Sequence, residues 1–118
     1  MKVSLDQVLQ AESALRKLAT TSLPAVTAFH VSRLLKEVNE HYRQSKEIEM
    51  KLFEKYGVSD GKGNLQVLPV NEQLFKKELV ELLAIEVEVS AKALKIEQLE
   101  SVSLTPAEIF ALEPFLEV

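Results

Sequence analysis

PAVTAFHVSRLLKEVNEHYRQSKEIEMKLFEKYG, residues 24–57, decides the fold. Between Pro24 and Gly57 the run holds no other proline or glycine. It predicts one continuous helix of roughly 50 Å at about 1.5 Å per residue. Pro24 suits the first helical turn, where its missing N–H would have no partner anyway. Gly57 suits the position just past the last turn. Val31, Leu34, Val38, His41, Ser45, Ile48 and Leu52 keep a 3–4 spacing along one stripe, which Leu35, Tyr42 and Tyr56 widen. The stripe weakens at His41 and Ser45, which predicts different packing partners along the two halves of the helix.

Working outward, Ser4-Leu5-Asp6-Gln7 has capping-box spacing and predicts a first helix through about Thr20. Its stripe of Leu5, Val8, Ala11, Leu15 and Leu18, with only a short connection to Pro24, predicts an antiparallel hairpin with residues 25–41. The far half of the long helix then needs cover from downstream. Asp60-Gly61-Lys62-Gly63-Asn64 reads as a tight turn, with Val58 and Leu65–Leu68 as hairpin strands ended by Pro69. Asn71 is expected to cap a helix through about Leu83, with Leu74, Phe75, Leu79, Leu82 and Leu83 inward. Ile85-Glu86-Val87-Glu88-Val89 alternates as a half-buried strand does, and Leu94 and Ile96 are the expected partner segment. Thr105-Pro106-Ala107-Glu108 is a second capping box, opening a short helix that Pro114 ends or bends. The sum is an α+β domain, mostly α. Residues 1–56 form a helical hairpin, and 57–118 a cap with a third helix and a small antiparallel β element. Leu34, Val38, Leu52, Phe75, Leu79 and Leu82 are the expected core.

At 118 residues the chain suits one domain with a core of its own. It has no cysteine, so disulfides, thiolate metal sites and cysteine nucleophiles are excluded. The reading places it in the cytoplasm. No apolar run approaches the roughly 20 residues of a membrane span, and Met1–Asp6 does not read as a signal peptide. Residues 71–118 carry ten acids against four bases, while residues 1–56 carry nine bases against seven acids. The acidic half disfavours nucleic acid and anionic membrane as partners. On the long helix, Arg33, Lys36, Arg43, Lys46, Lys51 and Lys55 interleave with Glu37, Glu40, Glu47, Glu49 and Glu54. That is a mixed, ion-paired surface and no nucleic-acid stripe.

Chemistry-bearing patterns are sparse. His30 and His41 share a helix face about 16 Å apart, too far to hold one metal. Glu86 with Glu88, and Glu78 with Glu81, read as solvated pairs, since a glycosidase-like pair would need a pocket with binding aromatics. The Gly61–Gly63 turn lacks the Gly-Lys-Ser/Thr of a phosphate loop. The expectation is no catalytic set, no metal and no cofactor.

The order of segments resembles a family of small proteins from tailed phages and prophages. The resemblance rests on Leu23-Pro24-Ala25, Glu54-Lys55-Tyr56-Gly57, the 60–64 turn, Glu81-Leu82-Leu83 running into Glu86–Val89, and Leu104-Thr105-Pro106-Ala107-Glu108 with Leu112 beyond. It spans roughly residues 20–117 and implies a viral or prophage origin, with no functional residues to carry over. The expected function is a non-enzymatic interaction protein, a phage accessory factor in particle assembly or host takeover. The alternative is a monomeric inhibitor that binds a host protein through the acidic half. Phe29, Ile48, Met50, Phe53 and Tyr56 exceed what one stripe needs, so they are the candidate interface of a homo-oligomer centred on the long helix.

Overall fold

A computed structural model describes residues 1–59, 61 and 65–117. The chain runs through strand β1 (Lys2–Ser4), helix α1 (Leu5–Ala19), helix α2 (Ala25–Tyr56), strands β2 (Gly57–Ser59) and β3 (Leu65–Val67), and helix α3 (Glu72–Leu83). It continues through β4 (Glu86–Glu88), β5 (Leu94–Lys95), helix α4 (Pro106–Leu112) and β6 (Leu116–Glu117). The class is α+β, mostly α, with a 32-residue helix as its longest element. Among the described residues, no helix is long and apolar enough to cross a membrane.

The α1 capping box forms as its spacing predicts. The Ser4 hydroxyl accepts from the Gln7 N–H at 3.1 Å, and the Gln7 side chain accepts from the Ser4 N–H at 2.9 Å. Helix α1 then folds back along α2, and Val8, Leu15, Leu18, Val31, Leu34 and Val38 interlock in the larger core. Each such side chain contributes about 1.5–3 kcal/mol by leaving water, which far outweighs any single polar contact of the fold.

Helix α2 is unbroken across His41–Ser45, so the weakened stripe marks a change of partner. Beyond it a smaller core forms from Leu5, Leu52, Phe75 and Leu82, with Phe53, Tyr56, Val67 and Leu79 against it. Phe53 and Phe75 pack as tilted rings, 4.9 Å between centroids. Ser45 sits near the change, 1 % exposed, with its hydroxyl unpartnered.

The boundaries of α2 differ from the sequence reading in two ways. Pro24 is the cap and not the first helical residue: with ψ 148 it stays extended, and its carbonyl accepts the first helical bond from Ala28 at 2.8 Å. Gly57 does not turn left-handed. Its φ of −99 is extended, because it passes straight into β2, where it pairs with Val67. The β2–β3 hairpin therefore grows out of the helix end. The expected turn at 60–64 lies outside the described residues except for Gly61, whose φ of 82 is the left-handed value that favours glycine.

Asn71 precedes α3, but its side chain does not cap that helix. Its Nδ2 donates instead to the Tyr56 carbonyl at 3.4 Å, one of the α2 carbonyls left without a helical partner. Of the expected apolar face, Phe75 and Leu82 are buried, Leu79 and Leu83 are half-buried, and Leu74 is exposed. Leu79 thus contributes less than a core position.

The strand pairing is the largest correction. Segment 94–96 does not pair with 85–89. Strand β4 pairs antiparallel with β1, Val3 opposite Val87, and the ladder is extended by Leu5 N–H to Ile85 O (2.9 Å) and Val89 N–H to Met1 O (2.8 Å). Val3 and, just past the end of β4, Val89 are buried, so the pairing seats apolar side chains from both segments. Strand β5 pairs in parallel with β6, and Ile96 begins a 3-10 turn instead of continuing a strand. Pro114 ends α4 through another 3-10 turn, which drives Phe115 fully into the larger core.

Two stability measurements follow. Ser45→Ala removes a buried hydroxyl without a partner, and unfolding in urea is expected to show a gain of about 1–3 kcal/mol. Phe75→Ala is expected to cost about 3–5 kcal/mol as a large-to-small change in the smaller core. An unchanged urea midpoint for Phe75→Ala would mean that α3 does not seat on α2.

Candidate functional site

Four sides of α2 meet different surroundings. Helix α1 takes one side along the first half, and α3 takes the second half. A third side, carrying His30, Glu37 and His41, is tied to residues 88–98 by side-chain hydrogen bonds. Glu37 accepts from both the Ser90 N–H (2.8 Å) and the Ser90 hydroxyl (2.7 Å). The His41 Nε2 faces the Glu88 carbonyl at 3.3 Å. The Gln98 Nε2 reaches the buried Thr27 hydroxyl at 3.3 Å and lies 3.4 Å from His30 Nδ1. Hydrogen bonding from Ser90, its hydroxyl foremost, holds the Glu37 carboxyl below the usual glutamate range, opposed by partial burial and aided by His41.

This arrangement brings a serine, a carboxylate and a histidine together, but as a clamp. The hydroxyl of Ser90 donates to Glu37 and not to an imidazole, and a carboxylate held low by that bond is a weak acceptor for the hydroxyl proton. Sequence reasoning singled out His41 and missed Ser90 and Glu37, which lie 53 residues apart and carry no local motif.

The carboxylate pairs are engaged separately. Glu88 meets the amino-terminal ammonium at 3.1 Å. Glu78 meets Lys55 at 3.3 Å, and its carboxyl is held low by the Tyr56 hydroxyl first and Lys55 next. Among the described residues, no group of three or more histidine, aspartate or glutamate side chains is placed to hold a metal ion.

The fourth side of α2 is open. Between α1 and α2 lies a groove of about 590 Å³, floored by Leu18, Leu23, Val31 and Leu35 and edged by Arg16, Lys36 and Asn39. A second depression of about 660 Å³ continues along α2 through Asn39, Tyr42, Lys46, Met50 and Glu54. The two share Asn39 and make one trough along the helix. No family model, no curated protein and no solved structure matches this chain. The trough's own chemistry is therefore the guide to its use.

The five candidate interface residues do not form one patch. Phe53 and Tyr56 turn into the smaller core, against Phe75. Met50 lies on the trough, 56 % exposed. Ile48 is exposed, but two residues along a helix is about 200° around it, so Ile48 and Met50 point to opposite flanks. Phe29 is exposed about 28 Å from Ile48 along the axis, with the Arg33 guanidinium over its ring at 5.7 Å.

The clamp makes a pH prediction. A carboxyl depressed in the folded state stabilises fully above its unfolded value, about 4.3 for glutamate, and the contribution fades as pH falls through the lower folded value. Glu37→Gln is therefore expected to lower stability at neutral pH and to flatten the acid limb of the stability curve below about pH 4.3. Parallel acid limbs for variant and parent would show that the clamp does not titrate with folding.

Proposed function

We propose that the chain is a non-enzymatic interaction protein that works in the cytoplasm through protein–protein surfaces, as an accessory factor of phage or prophage origin. The origin rests on the sequence resemblance alone. The trough along α2 carries the functional reading. It is open along a molecule 50 Å long, with apolar residues at its floor and Met50 exposed in its second half. An elongated, shallow trough fits a peptide segment or helix better than it fits a small substrate, which needs an enclosing cavity. Its rim charges, Lys36, Arg43, Glu47 and Lys51, set orientation and specificity more than affinity.

A second reading has its own observation. Phe110 is 69 % exposed on α4, with Glu113 on the same helix end. An aromatic anchor beside a carboxylate suits a basic host surface, as an inhibitor of a host protein would require.

Immobilised wild-type protein is expected to retain a protein partner from host or phage extract, and Met50→Glu is expected to release it. If Met50→Glu and Asn39→Glu both retain that partner undiminished, the trough is not the binding face.

A further inference from the structure

Helix α1 separates two surface features that complement each other. Arg16 edges the groove shared with α2, and Gln7 of α1 lines a second depression together with Phe110 of α4. Nine residues separate them, about two and a half helical turns, so the groove and Phe110 face opposite sides of α1.

The groove has an apolar floor of Leu18, Leu23, Val31 and Leu35, and its charged lining residues, Arg16 and Lys36, are both cations. Arg16 already holds Glu12 and keeps further guanidinium donors. Lys36 forms no ion pair among the described residues. On the other side, Phe110 projects from α4 beside Ala111, Glu113 and Pro114. Glu113 also forms no ion pair among the described residues. Phe29, the other well-exposed phenylalanine, has the Arg33 guanidinium over its ring, whereas no cation or ring covers Phe110 among the described residues.

Knob and groove thus match in polarity and charge: an aromatic ring with an unpaired acid, and an apolar trough with an unpaired base. They cannot meet within one molecule because α1 lies between them. Two copies can bring them together. We propose that the chain associates head to tail, with Phe110 of one copy seated in the α1–α2 groove of the next and Glu113 against Lys36. This deepens the protein-binding reading by naming a second copy as the partner for the groove half of the trough. Because the knob and the groove face opposite sides of α1, two copies cannot make the contact reciprocally, and one knob and one groove stay open at the ends of a pair. Successive copies extend it into a ring or a filament. The contact differs from the homo-oligomer centred on the long helix alone that the sequence leads one to expect, because α4 of the neighbouring copy supplies the acid for the cations that line the open side of α2 near Asn39.

Sedimentation equilibrium from micromolar to millimolar concentration tests the proposal, with circular dichroism showing that each variant keeps its helix content. The wild type is expected to rise in average mass beyond two copies. Phe110→Ser removes the knob, and Ser32→Trp fills the groove from an exposed helix position. Each variant alone is expected to weaken association about tenfold or more, which is a single anchor's worth at an interface. Mixed together, the two are expected to form a heterodimer and nothing larger, because one intact knob meets one intact groove. A wild type that stays at 13.3 kDa overturns the proposal, and leaves the protein-binding reading to its own Met50→Glu comparison. Association unaffected by both variants, or variants whose mixture stays monomeric, also overturns it.

Discussion

A helix of 32 residues has to be covered by a chain whose next longest helix has 15. That mismatch governs the rest of the architecture. Helix α1 reaches along α2 and builds the larger core, and only its first residue, Leu5, meets Leu52 in the smaller one. Chain from beyond Gly57 returns to complete that smaller core, through the β2–β3 hairpin and α3. The two cores are joined where the chain begins. Val3 belongs to the larger one, Leu5 to the smaller, and Val87, opposite Val3 in the β1–β4 ladder, packs against both.

The remaining segment, 88–104, has little regular structure and is held differently. Apolar anchors at Val89, Leu94 and Leu99 sink into the larger core. Side chains from α2 then fix where the backbone passes: Glu37 to Ser90, His41 to Glu88, Thr27 to Gln98. A net hydrogen bond contributes about 0.5–1.5 kcal/mol, against roughly 1.5–3 for each buried aliphatic side chain. The anchors hold the segment, and the polar contacts choose its register along the helix.

Legibility in the sequence followed the length over which a signal repeats. The extent of α2, both capping boxes and the β2–β3 strands were readable because each rests on local chemistry: absence of breakers, a hydroxyl three residues from a glutamine or glutamate, strands flanking a turn. The β1–β4 and β5–β6 pairs were not readable. Lys2–Ser4 is too short to show a period of two, and Leu116–Glu117 follows a proline that reads as a stop. Phe115 was overlooked for the same reason, since a 3-10 turn carries the chain past Pro114 into the core. Asn71 and Gly57 illustrate a further limit. Both have residue types that suit a cap, yet tertiary partners, the Tyr56 carbonyl and the β3 strand, use them otherwise. The candidate site was half legible. Surplus apolar residues on α2 were visible, but which of them α3 would take depended on packing across 20 residues of sequence.

Charge shows the same division of the molecule. Three ion pairs join residues 1–56 to residues 71–117 among those described: the amino-terminal ammonium with Glu88, Lys17 with Glu108, and Lys55 with Glu78. In all three the cation comes from the first part and the acid from the second. Lys17 is also the first reason that the Glu108 carboxyl is held low, ahead of its capping bond to Thr105. The other four pairs lie within one part or the other. Such exposed pairs are weak and screened by salt, so they do not hold the fold together. They do give it a direction. An excess of acid on one part and of base on the other is only partly consumed inside the molecule, and Lys36 and Glu113 are among the charges left over. Any surface that meets this protein finds the same polarity that its own two parts use to recognise each other.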